Sequence, residues 1–152
     1  MPNRSVKRIL VLLGLCGVLA GAGNSSARAD GMVTIQATMI LASNDRAPMD
    51  SRLETIEYKL RRVFGFEYYR HYGEASVSLS LPSQTTMDLG HGFSLVVNAT
   101  GSHDGKIRAG VMWLRGAETV LNTTVSMNRN TPVILGGVQH ENGTLIVSLT
   151  AR

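Results

Sequence analysis
Beyond residue 30 the apolar positions repeat with two different periods. Val33, Ile35, Ala37, Met39 and Leu41 fall on every second residue, the spacing of a strand with one buried face. Asn44-Asp45 and Pro48 break that run. Leu53, Ile56, Leu60, Val63 and Phe64 then follow a helical repeat within one stripe about 100° wide, which predicts a core-facing helix over 51–64. Ser51 and Glu54 read as its capping box, Glu57 and Arg61 as a favourable i,i+4 pair, and Gly65 as its left-handed stop.

From 66 onward the period is two again. Phe66, Tyr68, Arg70 and Tyr72 fall on one side of a strand, and Glu67, Tyr69 and His71 on the other. Val77, Leu79 and Leu81 alternate up to Pro82, Met87 and Leu89 mark a short piece, and Phe93, Leu95, Val97 and Ala99 alternate before Ser102-His103-Asp104-Gly105. Ile107, Ala109, Val111 and Trp113 answer after that turn, and Asp104-Gly105 between two alternating runs predicts a hairpin. Stretches 119–127, 132–138 and 144–149 complete the set, the last two joined through Asn142-Gly143, another hairpin dipeptide. The reading is α+β and mostly β, with one amphipathic helix and about eight mainly antiparallel strands in a sandwich or open barrel. No repeat, low-complexity tract or linker interrupts 30–152, which reads as a single β-rich domain. Whether the helix lies on a sheet's face or against an edge stays open.

The N-terminus belongs to a different class. Arg4, Lys7 and Arg8 precede an apolar run over 9–23, and Ala27-Arg28-Ala29 has the form of a cleavage site, so 1–29 reads as a Sec-type signal peptide. That run of about 15 residues is shorter than the roughly 20 that span a bilayer. The mature chain is therefore expected to be periplasmic or secreted, with no transmembrane segment. The full chain carries a net charge of +4, but 1–29 takes four of the 15 basic residues and none of the 11 acidic ones, leaving 11 against 11. A nucleic-acid partner requires clustered positive charge on the domain itself, and that class drops out. Cys16 is the single cysteine and lies inside the apolar run, so no thiol and no disulfide remain after cleavage. Leu13 and Gly14 precede it as in a lipid-modified leader, but Leu15 stands where such a cysteine wants Gly, Ala or Ser. A domain of this size buries roughly two-thirds of its unfolded surface and can fold without disulfide staples.

Catalytic patterns are scarce. No G-x-S-x-G elbow occurs, and a mature chain without cysteine offers no thiol nucleophile and no thiolate metal site. Gly90-His91-Gly92 opens like a dinucleotide loop, yet Leu95 stands where the third glycine belongs, so the segment reads as a turn. His71, His91, His103 and His140 are at least 12 residues apart and form no H-x-x-x-H pair. His103-Asp104 and His140-Glu141 contribute to a metal site only if the fold joins them. Glu67 and Glu74 flank the tyrosine-rich strand, whereas a two-carboxylate glycosidase needs a pair about 5–10 Å apart across a cleft. Arg61-Arg62 reads as a solvated helix face. The sequons at Asn98, Asn122 and Asn142 read as ordinary strand and turn residues of a bacterial exported protein. No catalytic residue, metal or cofactor is expected.

One stretch is unusual in composition. Phe64, Phe66, Tyr68, Tyr69 and Tyr72 are five of the chain's eight aromatic residues. Tyr68, Tyr69 and Tyr72, joined by Trp113, are candidates to stack on a sugar ring or anchor a partner. The plainer alternative packs this strand's aromatics beneath the helix and leaves Tyr69 outside.

The stretch Leu60-Arg61-Arg62-Val63-Phe64-Gly65-Phe66-Glu67-Tyr68-Tyr69-Arg70 resembles small secreted bacterial proteins of uncharacterised function. So do Pro132-Val133-Ile134-Leu135-Gly136-Gly137 and Gly143-Thr144-Leu145-Ile146. This likeness spans most of 33–151 and brings no activity with it. Residues 119–149, with Thr123-x-Val125 before Gly137-Val138, are also similar to a late strand pair of outer-membrane secretins. That resemblance implies an envelope-associated β domain, an accessory to a secretion or pilus system.

Three functions follow as expectations. The first is a non-enzymatic envelope protein that binds another envelope protein or itself through a sheet edge. Residues 33–41 and 144–149 are the expected edges, because neither interior carries the charge, proline or bulge that protects one. The second is a small-ligand or glycan-binding domain built on strand 66–72. The third is a hydrolase whose ionisable groups converge in a cleft.

Overall fold
The computed structural model describes residues 30–101 and 104–152. The signal peptide and cleavage site read at 1–29, Cys16 among them, lie outside the described residues, as does His103. Eight strands and one helix follow in the order β1 (Asp30–Ser43), α1 (Glu54–Phe64), β2 (Tyr68–Leu81), β3 (Ser83–Gly90), β4 (Phe93–Gly101), β5 (Ile107–Arg115), β6 (Glu118–Met127), β7 (Val133–His140) and β8 (Gly143–Ala151). All named strand pairs are antiparallel and form two four-stranded sheets, β2-β1-β8-β7 and β3-β4-β5-β6, with no closed barrel. The pieces read separately at 66–72 and 77–81 are one strand, β2. At Pro82 the chain passes from the first sheet to the second, and after β6 it returns to lay β8 beside β1.

Alternation along each strand builds the core between the sheets. Val33, Ile35, Ala37, Met39 and Leu41 of β1 and Leu145, Val147 and Leu149 of β8 face Phe93, Leu95, Val97, Ile107, Val111 and Trp113 from the second sheet. Because side chains alternate with period two, one extra residue would turn the rest of a strand inside out. Two bulges use this. In β7 the register shifts between Gly136 and Val138, so Val138 joins Val133 and Leu135 on the core side. In β2 the shift opposite Met39 and Ile40 inserts Tyr72 between His71 and Gly73.

The helix lies on the outer face of the first sheet. Leu53, Leu60, Ile40, Ala42, Tyr69 and Ile146 form a second, smaller core there, with Ile56, Phe64, Phe66 and Ile134 at its margin. The predicted helix is confirmed with three adjustments. A single 3₁₀ turn (Ser51–Leu53) precedes it, and the cap is Asp50 rather than the Ser51 box: Arg52 N–H donates to Asp50 Oδ1 at 3.1 Å. Val63 is 65% exposed, since it lies roughly 80° around the helix from the centre of the stripe set by Leu53, Leu60 and Phe64. Glu57 is buried in its place, with Arg61 Nε donating to its Oε1 at 2.8 Å. Gly65 ends the helix at φ +69°, with its N–H donating to the Arg61 carbonyl.

The expected edges are wrong. β1 and β8 are the two central strands of their sheet, and the edges are β2, β7, β3 and β6. The absence of charge and proline in 33–41 and 144–149 reflects strands paired on both sides and covered on both faces. Met39-Ile40-Leu41-Ala42 and Leu145-Ile146-Val147-Ser148-Leu149 are each buried without a break, the pattern of a strand between two layers. The hairpin at Asn142-Gly143 forms, but its loop residues are Glu141 and Asn142, because His140 pairs with Gly143.

Candidate functional site
The four aromatic residues singled out by sequence do not form one platform. Tyr69 is 4% exposed under the helix, where its Oη accepts the Phe66 N–H at 3.2 Å. It is not left outside, and Phe66 shares its side of the sheet rather than that of Tyr68. Burial pushes the Tyr69 hydroxyl above its usual pKa, partly offset by the Phe66 N–H. Trp113 is fully buried between the sheets, and its Nε1–H has no partner among the described residues. Tyr68 is half-buried and lines a cavity of about 90 Å³ with Pro48, Met49, Glu57 and Glu67.

Tyr72 enters a different group, at the end of the sandwich where the β3–β4, β5–β6 and β7–β8 turns gather. Its Oη lies 2.9 Å from His140 Nε2, and its ring stacks on His91 at 4.3 Å between centroids, tilted by 31°. His140 meets Phe93 edge-on at 5.7 Å, and Phe93 meets Trp113 at 6.0 Å. The Arg115 guanidinium sits 5.5 Å above the Phe93 ring and donates to the Gln139 carbonyl at 3.1 Å. His91 reaches Tyr72 because it occupies a tight turn at φ +55°. At Gly73 a Cβ would collide with the Leu89 carbonyl oxygen, so β2 and β3 close together just beside the bulged tyrosine. The turn read at Gly90-His91-Gly92 is there, with His91 exposed in it; the contacts of His91 and His140 with Tyr72 join strands far apart in sequence and were not readable from spacing.

The cluster is built of rings packed on rings, with His91 at its exposed margin. Five surface hollows of about 90 to 290 Å³ open elsewhere, and none is lined by Tyr72, His91, His140 or Trp113. No three His, Cys, Asp or Glu residues gather as a metal site among the described residues. His140 and Glu141 stand 3.7 Å apart. His71 and Glu74 stand 3.3 Å apart, and no third ligand joins them in a metal-binding group among the described residues. Asp50 is a carboxylate with a clearly lowered pKa. Arg52 donates through Nε and Nη2 at 2.9 and 2.8 Å, and the Arg52 and His71 backbone N–H groups add to this. These donors hold its pKa well below the usual carboxylate range. Its role is to tie the start of the helix to β2.

No family model, curated protein or solved structure matches the chain.

What remains is the perimeter of the sheets. β2 is bulged at Tyr72, β7 is bulged at Gly137, and β3 carries Asp88, all features that discourage a further strand. In β6 the register against β5 shifts only near its start, between Trp113 and Leu114, and 121–127 then pairs without interruption. That stretch, Leu121-Asn122-Thr123-Thr124-Val125-Ser126-Met127, contains no charge, proline or glycine. Its other side bonds to no strand among the described residues. The outer face beside it is also uncovered: Val96, Met112 and Leu114 are half-buried, and a hollow of about 250 Å³ opens above Gly110.

Proposed function
We propose that this is an exported, non-enzymatic envelope domain that works by binding, taking an extended segment of a partner onto the free edge of β6. The observation that carries the reading is the neutral stretch 121–127, paired in unbroken register to β5 and to no other strand among the described residues. A bare edge of this kind offers a row of backbone donors and acceptors, and strand addition draws affinity from them. The partner is another envelope protein or a second copy of the chain. Export rests on the leader at 1–29 and an envelope setting on the likeness of 119–149 to secretin strands.

The test is a crosslinking pull-down from the native envelope with Thr123→Pro and Thr124→Pro. Alternate residues of a strand direct their N–H to opposite sides, so one of these two prolines removes only an outward donor. The variant that keeps the buried Trp113 emission is expected to lose the partner. Undiminished recovery by every variant that stays folded would sink the reading.

A further inference from the structure
We infer that the strand β6 receives is the β6 of a second copy, in antiparallel register about Thr124; this rests on the proposed role of that edge. Thr124 is the midpoint of the straight stretch 121–127, so a two-fold axis there uses all of it. Leu121 then faces Met127, Asn122 faces Ser126, Thr123 faces Val125, and Thr124 faces itself.

The sides of the strand match as well. Leu121, Thr123, Val125 and Met127 pair across β5 with Trp113, Val111, Ala109 and Ile107, all buried, so they share the core side. Asn122, Thr124 and Ser126 pair with Met112, Gly110 and Arg108 on the open side. The two-fold register therefore sets core-side residues against core-side residues and hydroxyls and amide against each other. Cross-strand pairs of these kinds are favourable, whereas like charges directly opposite are not. No charged residue lies within 121–127. Shifting the axis by one residue, to Thr123 or Val125, shortens the overlap to five residues. A closed two-fold contact also uses up both free edges and stops further growth. The product is one eight-stranded sheet running through both copies. An edge-only contact is small, which places it among weak, concentration-dependent interfaces.

Register is testable by cysteine pairing in a Cys16→Ser background, which leaves the chain without another thiol. Directly opposed residues of antiparallel strands have Cα atoms about 4.5–5.5 Å apart, within the about 4.4–6.8 Å that a disulfide spans. Thr124→Cys is expected to oxidise to a dimer as its main product. Asn122→Cys alone stays monomeric, since its own copy lies about 13 Å along the strand, but it crosslinks when mixed with Ser126→Cys. Sedimentation should show a dimer that dissociates on dilution and is lost in the folded proline variant of β6. A monomer at all concentrations, or crosslinking without this register, overturns self-pairing. If such a monomer still captures an envelope protein, and the folded β6 proline variant loses it, the role of the edge stands and only its occupant is wrong. If neither self-pairing nor capture depends on β6, both readings fall.

Discussion
The outer face of the β2-β1-β8-β7 sheet is covered where Ile40, Ala42 and Ile146 meet Leu53 and Leu60. The outer face of the β3-β4-β5-β6 sheet, with Val96, Met112 and Leu114 half-buried, has no helix or strand laid over it among the described residues. The inner faces are alike, each supplying aliphatic and aromatic side chains to one shared core. The difference begins in the connections. The link from β1 to β2 is long enough to hold a helix, whereas β3 to β4 and β5 to β6 are joined by two residues each, too few to lay an element over their sheet. Covering one face turned β1 and β8 into two-sided strands. With the other face bare, β6 is an ordinary one-sided strand at the rim of its sheet.

Breaking the covered sheet should have the largest effect. Ile146→Pro removes a backbone donor from a strand that pairs on both sides, with Ile40 and with Gly136. It is expected to leave the chain unfolded, seen as loss of the blue-shifted emission of Trp113, the single tryptophan. A proline at Thr123 or Thr124, on the one-sided strand, should be survived by at least one variant.

Truncations on the two outer faces sharpen the contrast. Leu60 is fully buried between helix and sheet, and Leu60→Ala should cost about 2–5 kcal/mol in urea denaturation. Val96→Ala on the open face should cost about 1 kcal/mol or less. Equal losses would mean that the second face is covered in solution, as a dimer or complex would do.

The smallest effect concerns the helix anchor. Asp50→Ala removes the cap and should cost about 0.5–2 kcal/mol at neutral pH. The folded pKa of Asp50 lies below its unfolded value, so its ionic contribution is present above about pH 4 and fades as pH falls toward the folded value. The gap between wild type and Asp50→Ala should therefore narrow only in acid below about pH 4. A gap that narrows between pH 5 and 7 would assign the effect to another group.

Much of this was legible because period and punctuation are local properties. The alternation of Phe93, Leu95, Val97 and Ala99, and the answering run from Ile107 to Trp113, marked β4 and β5 directly. The helix stood out through Leu53, Leu60 and Gly65. The bulge at Tyr72 was hidden, since alternation reads the same until a neighbour fixes the register. The ring cluster was hidden for the same reason: Tyr72, His91 and His140 touch only after the β3–β4 and β7–β8 turns meet the bulged strand β2 at one end. The free edge was misplaced because a strand without charges looks identical whether partners flank it or nothing does.

By itself, then, the sequence determined the strands, the helix, most turns and the side of each strand that is apolar, because these depend on neighbours within a few residues. Only the tertiary structure decided that β1 and β8 lie at the centre and β6 at the rim. It also decided that Tyr69 and Trp113 are core while Glu57 is buried. Those outcomes depend on which strands pair across the whole chain, and side-chain pattern along one strand does not encode what lies beside it.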